Sequence, residues 1–315
     1  MKAAVLVGVR KFEIKDEDIP AFNLNEVLVR VKACGVCQSE TPMWLGEVNV
    51  NYPAYIGHEV SGIVEETGSN VKRFKKGERV TMRGGRGYSE YVNVPEEDVV
   101  NIDTKIPFVE ALGDPIGCSV NVMKRCGITI GDNVAIIGVG FMGLILIQLV
   151  KLYGPSKIIA IDVREDSLSI AKKLGADITI NSNHIDVVDE ILKLTVDKEG
   201  VDVVFEVAGK QETLNISSRV VKYRGRMIIV GYHSVGLRTI DMQQMGWNGI
   251  DMINGHDRVG EVRVDGIKRG VELIKGGRLT LKPLITNIYN LDQINEAFED
   301  AYDKPKGYIK SVIVM

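Results

Sequence analysis

Cys37 is followed twenty-one residues later by the adjacent pair His58-Glu59. A thiolate, an imidazole and a carboxylate are a donor set that suits zinc. Three protein ligands leave a fourth position open for water or substrate, which is what a catalytic site needs. Downstream, Gly138-Val-Gly140-Phe-Met-Gly143 has the spacing that lets backbone approach a pyrophosphate. A metal and a dinucleotide on one chain point to metal-assisted hydride transfer. Cys34-Gly-Val-Cys37 by itself also admits a redox dithiol, which wants a βαβ unit around it, and a structural zinc site, which wants four ligands. The surroundings are β-rich and there is no second Cys-x-x-Cys pair.

The elements that must position these residues fall into two patterns. Up to about residue 115 the chain reads as short β-prone runs, Ala3-Val7, Glu26-Lys32, Ser61-Glu66, Arg79-Met82 and Tyr91-Val94, punctuated by turn formers such as Gly68-Ser69-Asn70. That is the pattern of a barrel-like β domain. From about 116 to 255, apolar runs alternate with helical periodicity: Val134-Ile137 with Met142-Lys151, Ile158-Ile161 with Asp166-Leu174, Ile178-Ile180 with Ile185-Leu194, Val203-Phe205 with Thr213-Val221, then Met227-Val230. Such alternation implies an α/β fold, a doubly wound parallel sheet covered by helices. The last β-prone segment, Tyr308-Met315, is expected to return to the first domain, because a short terminal strand needs a sheet to join. The expected domains are 1–117 with 255–315, and 118–254.

The glycine run has the context that a lone GxGxxG lacks. The strand Val134-Ile137 leads into it and a helix begins inside it. Gly138 suits the tight turn, Gly140 the approach of the pyrophosphate and Gly143 the packing of helix on sheet. The helix N-terminus would offer the amides of Phe141 and Met142 to phosphate. Asp162, nineteen residues after Gly143, ends the next apolar strand. Its carboxylate would accept the adenosine ribose hydroxyls and repel a 2′-phosphate, favouring NAD over NADP. Arg164, two residues on, works against that preference.

Composition narrows the remaining classes. A net charge of -3 leaves no basic footprint for nucleic acid or an anionic membrane. The seventeen residues Val134 to Val150 are nearly all apolar, yet short for a membrane span and interrupted by glycines; a buried strand entering a buried helix explains them. No signal-peptide core is present at the N-terminus, so the four cysteines are expected to be reduced thiols in a cytoplasmic protein.

Cys-Gly-Val-Cys37-Gln-Ser39-Glu, Gly57-His58-Glu59-Val-Ser-Gly62, Lys-Lys-Gly77-Glu-Arg-Val80 and Asp114-Pro115 ahead of the fingerprint together resemble the zinc-dependent medium-chain dehydrogenases, in order and spacing over essentially the whole chain. That resemblance implies a Rossmann domain beside a GroES-like β-barrel catalytic domain. It implies a polyol or sugar alcohol as substrate, with threonine or a simple alcohol as the alternative. A non-catalytic NAD-binding relative is the reading from another class. Cys37 and His58 match zinc ligands. Glu59 matches a carboxylate that binds zinc directly in some members and sits behind it in others. Asp114 matches a further carboxylate near the metal, as ligand or through water, although it could equally cap the helix that follows. Ser39 matches the hydroxyl that passes the substrate proton outward, and Lys310 a basic residue reaching the cofactor phosphate.

Three departures from the family pattern stand out, one being that the histidine relaying protons to solvent in some members has no counterpart near Pro42. The span from Met82 to Tyr91 lacks the four cysteines of a structural-zinc lobe, so one zinc per chain is expected. Glu40 stands where the family usually has the aspartate that orients the zinc histidine. Trp44 and Tyr55 are expected either in the substrate pocket or in barrel packing, and Cys34, Cys118 and Cys126 as small buried residues. The family also implies a homo-oligomer, dimer or tetramer, through the sheet edge near Ile250-Ile253.

Overall fold

The structure, a computed structural model, describes residues 1–315. The chain divides into two compact units, Met1–Cys118 with Arg258–Met315, and Ser119–Asp257.

The first unit opens with strands β1 (Lys2–Gly8), β2 (Lys11–Asp16) and β3 (Glu26–Gly35), a single turn of helix α1 (Thr41–Trp44), and strands β4 (Glu59–Thr67), β5 (Arg79–Met82), β6 (Tyr91–Pro95) and β7 (Val99–Asn101). Helix α2 (Gly113–Arg125) leads out of the unit. In β3 the buried Val29, Val31 and Ala33 alternate with half-exposed Arg30 and Lys32, the period-two pattern of a strand with one face on a core, while Val27, Leu28, Cys34 and Gly35 on either side are all buried.

The second unit contains β8 (Asn133–Ile137), α3 (Phe141–Lys151), β9 (Lys157–Asp162), α4 (Glu165–Leu174), β10 (Ile178–Asn181), α5 (Val187–Leu194), β11 (Val201–Glu206), α6 (Gln211–Val220), β12 (Val221–Ile229), α7 (Met242–Asn248) and β13 (Asp251–Asn254). Its six strands are all parallel in the order β10-β9-β8-β11-β12-β13. That is the doubly wound order, and the strand order reverses between β8 and β11. The apolar stretch 134–150 resolves into β8 and α3, and α3 is buried from Gly143 to Val150. No helix is long and apolar enough to cross a membrane. Helix α4 ends at Gly175, whose φ of 121° an L-residue adopts only with strain.

The chain then returns to the first unit through α8 (Gly260–Lys275), β14 (Asn287–Asn290), α9 (Ile294–Asp303) and β15 (Ser311–Val314). The seven-stranded sheet runs β14-β15-β3-β4-β5-β7, with β6 branching from β3. The β1-β2 hairpin joins this unit by bridges from Ala3 to Ser89 and Leu6 to Ala54. The terminal strand β15 does join a sheet, antiparallel to β3. Phe12, Trp44, Tyr88 and Phe298 pack together in the core beneath.

Candidate metal centre

The pairing of β3 with β4 explains how residues far apart in sequence meet. Gly35, at the end of β3, lies opposite Glu59, at the start of β4. Cys37 follows two residues after Gly35 and His58 immediately precedes Glu59, so the antiparallel register brings all three donors to one end of the sheet. Their ligand atoms lie within 4.8 Å of one another. Gly35 makes the room: a Cβ there would sit 2.1 Å from Glu59 Oε2.

Around this cluster the side chains are held in a definite order. Glu40, 3% exposed, accepts the Gly57 N–H at 2.8 Å and faces His58 Nδ1 at 2.8 Å with the same oxygen, Oε1. Its Oε2 accepts the Tyr88 hydroxyl at 2.6 Å. The longer acid at this position therefore does reach the histidine, and it leaves Nε2 as the ring atom for a metal. Burial opposes ionisation of Glu40, but His58, Tyr88 and the Gly57 amide outweigh it and hold the carboxyl below its ordinary range. Burial likewise pulls the His58 imidazole down, while Glu40 and Cys37 overcome it and push it up. Ser39 Oγ donates to Cys37 Sγ at 3.2 Å.

Lys310, expected at the cofactor phosphate, is only 4% exposed, and its ammonium pairs with Glu59, 2.8 Å from Oε1 and 2.6 Å from Oε2. The cause is the register of the last strand: β15 sets Val312 opposite Gly35, which itself faces Glu59. Burial lowers the lysine, and the charges of Glu59 and Cys37 more than restore it.

Asp114 occupies the first turn of α2, where the helix dipole favours an acid. Its side chain pairs with Arg263 of α8, and its Oδ2 stands 4.0 Å from His58 Nε2. It thus borders the cluster without belonging to the three-residue group. Cys118, expected in the core, is half-buried one helical turn later, its Sγ 3.8 Å from Asp114 Oδ2. Burial, then Asp114, pushes its thiol up to about 12. Cys34 and Cys126 are buried as expected. Trp44 is fully buried against Phe298, the packing alternative, and Tyr55 donates its hydroxyl to Glu17 beneath the Arg86 guanidinium.

Arg263 and Tyr88 escaped the sequence reading. Arg263 is one basic residue on an amphipathic helix, and Tyr88 sits in a glycine-rich connection. Neither has a local signal, since each acts only through a partner supplied by the fold.

In the second unit the fingerprint glycines sit at the turn from β8 into α3. Gly138, at φ 95°, would place a Cβ 2.8 Å from the Ala208 amide, Gly143 would place one 2.2 Å from the Gly138 carbonyl, and Gly140 faces open space. No side chain caps the N-terminus of α3 at Gly140. Asp162, at the end of β9, accepts the Val139 amide at 2.8 Å and the Arg164 amide at 3.0 Å, while the Arg164 guanidinium turns to Ser167.

Comparison with known proteins agrees with this geometry. Residues 23–104 match the alcohol dehydrogenase GroES-like domain and 142–258 the zinc-binding dehydrogenase family model. An alcohol dehydrogenase of Cupriavidus necator is 31% identical, over 99% of this chain and 98% of its own length. The chain belongs to the zinc-dependent medium-chain dehydrogenase superfamily. Among other members, sorbitol dehydrogenase of Bacillus subtilis is 29% identical, over 99% of this chain and 97% of its own length. A zinc-binding dehydrogenase-like structure from Sinorhizobium meliloti 1021, bound to NADP, superposes with a TM-score of 0.89 at 26% identity, covering 100% of this medium-chain dehydrogenase and 99% of the neighbour.

Proposed function

We propose that this medium-chain dehydrogenase reversibly oxidises an alcohol, a polyol or sugar alcohol first, using NAD and one zinc per chain. The observation that carries the reading is a carboxylate-rich donor set: Glu59 lies with Cys37 and His58, and Asp114 lies 4.0 Å from the histidine. Those donors fit zinc, and the room left by Gly35 beside Glu59 fits a carboxylate turned to that use. Cys37, His58 and Glu59 would hold the metal, with Lys310 orienting Glu59 and Asp114 standing behind. Bound zinc supplies Lewis acidity toward the substrate oxygen, and NAD accepts the hydride.

The chain's own part is positional and protonic. Glu40 holds the His58 ring and its tautomer. Ser39, hydrogen-bonded to Cys37 Sγ, places a hydroxyl where it can take the substrate proton outward. The fingerprint glycines with the amides of Phe141 and Met142 would receive the pyrophosphate. Asp162 supports NAD, since an anion there repels a 2′-phosphate; Arg164 is engaged by Ser167, which weakens its claim on that phosphate. The NADP in the Sinorhizobium structure weighs the other way. Residues 1–117 with 255–315 would form the catalytic domain and 118–254 the cofactor domain. The four free thiols accord with a cytoplasmic setting. The edge strand β13, with Met252 45% exposed and Trp247 nearby 76% exposed, offers a surface for a dimer or tetramer.

A simple alcohol is the second reading, supported by the Cupriavidus relative. The test is metal analysis together with NADH formation on a panel of polyols, threonine and simple alcohols. Stoichiometric zinc and reduction of NAD by a diol are expected. Zinc-free protein that gains no activity on adding zinc would reject the metal reading, and activity confined to simple alcohols would reject the polyol.

A further inference from the structure

Glu206 ends β11 and is 0% exposed, a carboxylate in the interior of the second unit. A buried carboxylate is costly unless its oxygens are well supplied with donors. Here Oε1 accepts the Gly209 amide at 2.8 Å and the Thr213 hydroxyl at 2.6 Å. Oε2 stands 3.0 Å from His233 Nε2, and His233 Nδ1 accepts Arg238 Nε at 3.1 Å. Because arginine only donates, Nδ1 must be the acceptor, so Nε2 carries the proton and donates it to Glu206. Arg238 closes the chain by donating to the carbonyls of Val235 at 2.9 Å, Leu237 at 3.3 Å and Gly209 at 3.5 Å. Leu237 at the tip of this loop is 98% exposed and contributes no apolar burial.

The network lies at a telling place. A Cβ on Gly231 would come within 2.3 Å of the Gly209 amide nitrogen and 2.6 Å of Glu206 Oε2. A Cβ on Gly138, the first fingerprint glycine, would meet the Ala208 amide at 2.8 Å. The connections leaving β8, β11 and β12 therefore touch backbone to backbone at the carboxyl ends of the parallel strands, where such sheets bind ligands. In this strand order β8 to β10 serve one mononucleotide and β11 to β13 the other. The adenosine half belongs beside Asp162, on β9. The Glu206 network belongs to the opposite half.

We propose that His233 and Arg238 are positioning residues for the nicotinamide half of the dinucleotide: through Glu206 they clasp the loop after β12 onto Gly209 and set the backbone that this half meets. The inference rests on the dinucleotide reading above. Neither residue bonds to the metal cluster, and neither is required to touch the cofactor.

The experiment compares NADH, which needs both halves of the site, with AMP, which needs only the adenosine half, by direct titration of the purified protein. His233→Ala and Arg238→Ala should each weaken NADH by about tenfold, the scale of a lost hydrogen bond to a charged group, and leave AMP within about twofold. The double variant should be no weaker than either single one. His233→Gln should recover most of the affinity, because an amide can accept from Arg238 and donate to Glu206. Arg238, on an exposed loop, keeps the test open should His233→Ala fail to fold. Unchanged NADH affinity in Arg238→Ala, or NADH and AMP weakened alike, would overturn the clasp. Wild-type protein that binds neither probe would overturn the dinucleotide reading itself.

Discussion

At the scale of single residues, Glu40 shows how a family departure is absorbed. A glutamate is one methylene longer than the aspartate usual there, and its extra reach is taken up by three donors on two segments: the adjacent Gly57 amide and His58, and the Tyr88 hydroxyl. The carboxylate is therefore fixed rather than swinging, and it fixes the histidine. Glu40→Ala is expected to lower zinc affinity by about 10–100-fold, measured by competition with a chromophoric chelator. Affinity unchanged would mean that the His58 ring is held by something else. Tyr88→Phe removes only one of the three donors and should cost less. Lys310 makes the complementary point: one cation buried against Glu59 balances a site otherwise rich in anions.

At the scale of elements, the Asp114–Arg263 pair depends on how closely α2 and α8 approach. Gly113 and Gly117 lie one turn apart and leave a slot that Ile267 fills; a Cβ on Gly117 would sit 2.6 Å from Ile267 Cγ1 and 3.0 Å from the Arg263 carbonyl. Gly117→Val should overpack this contact and destabilise the first unit by about 1–3 kcal/mol. Urea unfolding followed by tryptophan fluorescence would report it through Trp44, which is buried in that unit. A shift in midpoint is expected, and none would mean that the helices part without cost. The strands β3, β4, β8, β9 and β10, and helices α3 to α6, were legible from period and punctuation alone. The hairpin strand β2 was not, because Lys11-Phe-Glu-Ile-Lys-Asp16 carries only two apolar residues and forms by pairing with β1. The strand β12 begins at Val221, well before its apolar run, because its polar start is recruited by the neighbouring β11 with a break in register. Pairings of this kind depend on partners rather than on their own composition.

At the scale of the whole molecule, the chain leaves the first unit at residue 118 and returns at 258, so its last segment completes the sheet that its first segments began. In the second unit β13 is an unpaired edge, and long exposed edges invite pairing with another chain. Sedimentation equilibrium should therefore give a multiple of the 34.7 kDa chain mass, and Met252→Pro, which removes an edge amide, should lower it. A wild-type mass equal to one chain would reject the edge as an assembly surface.

The sequence by itself determined the period of each sheet and helix, the glycine fingerprint with its acidic residue, and the three donor types of the metal cluster. Those are local properties, set by neighbours within a few residues. Tertiary structure alone decided which partners those residues take: Lys310 on Glu59, 251 residues away, Arg263 on Asp114, 149 away, and His233 between Glu206 and Arg238. Each pairing follows from strand register, helix approach or loop closure. These long-range geometric constraints leave no periodic trace in the chain, whereas burial and backbone propensity do.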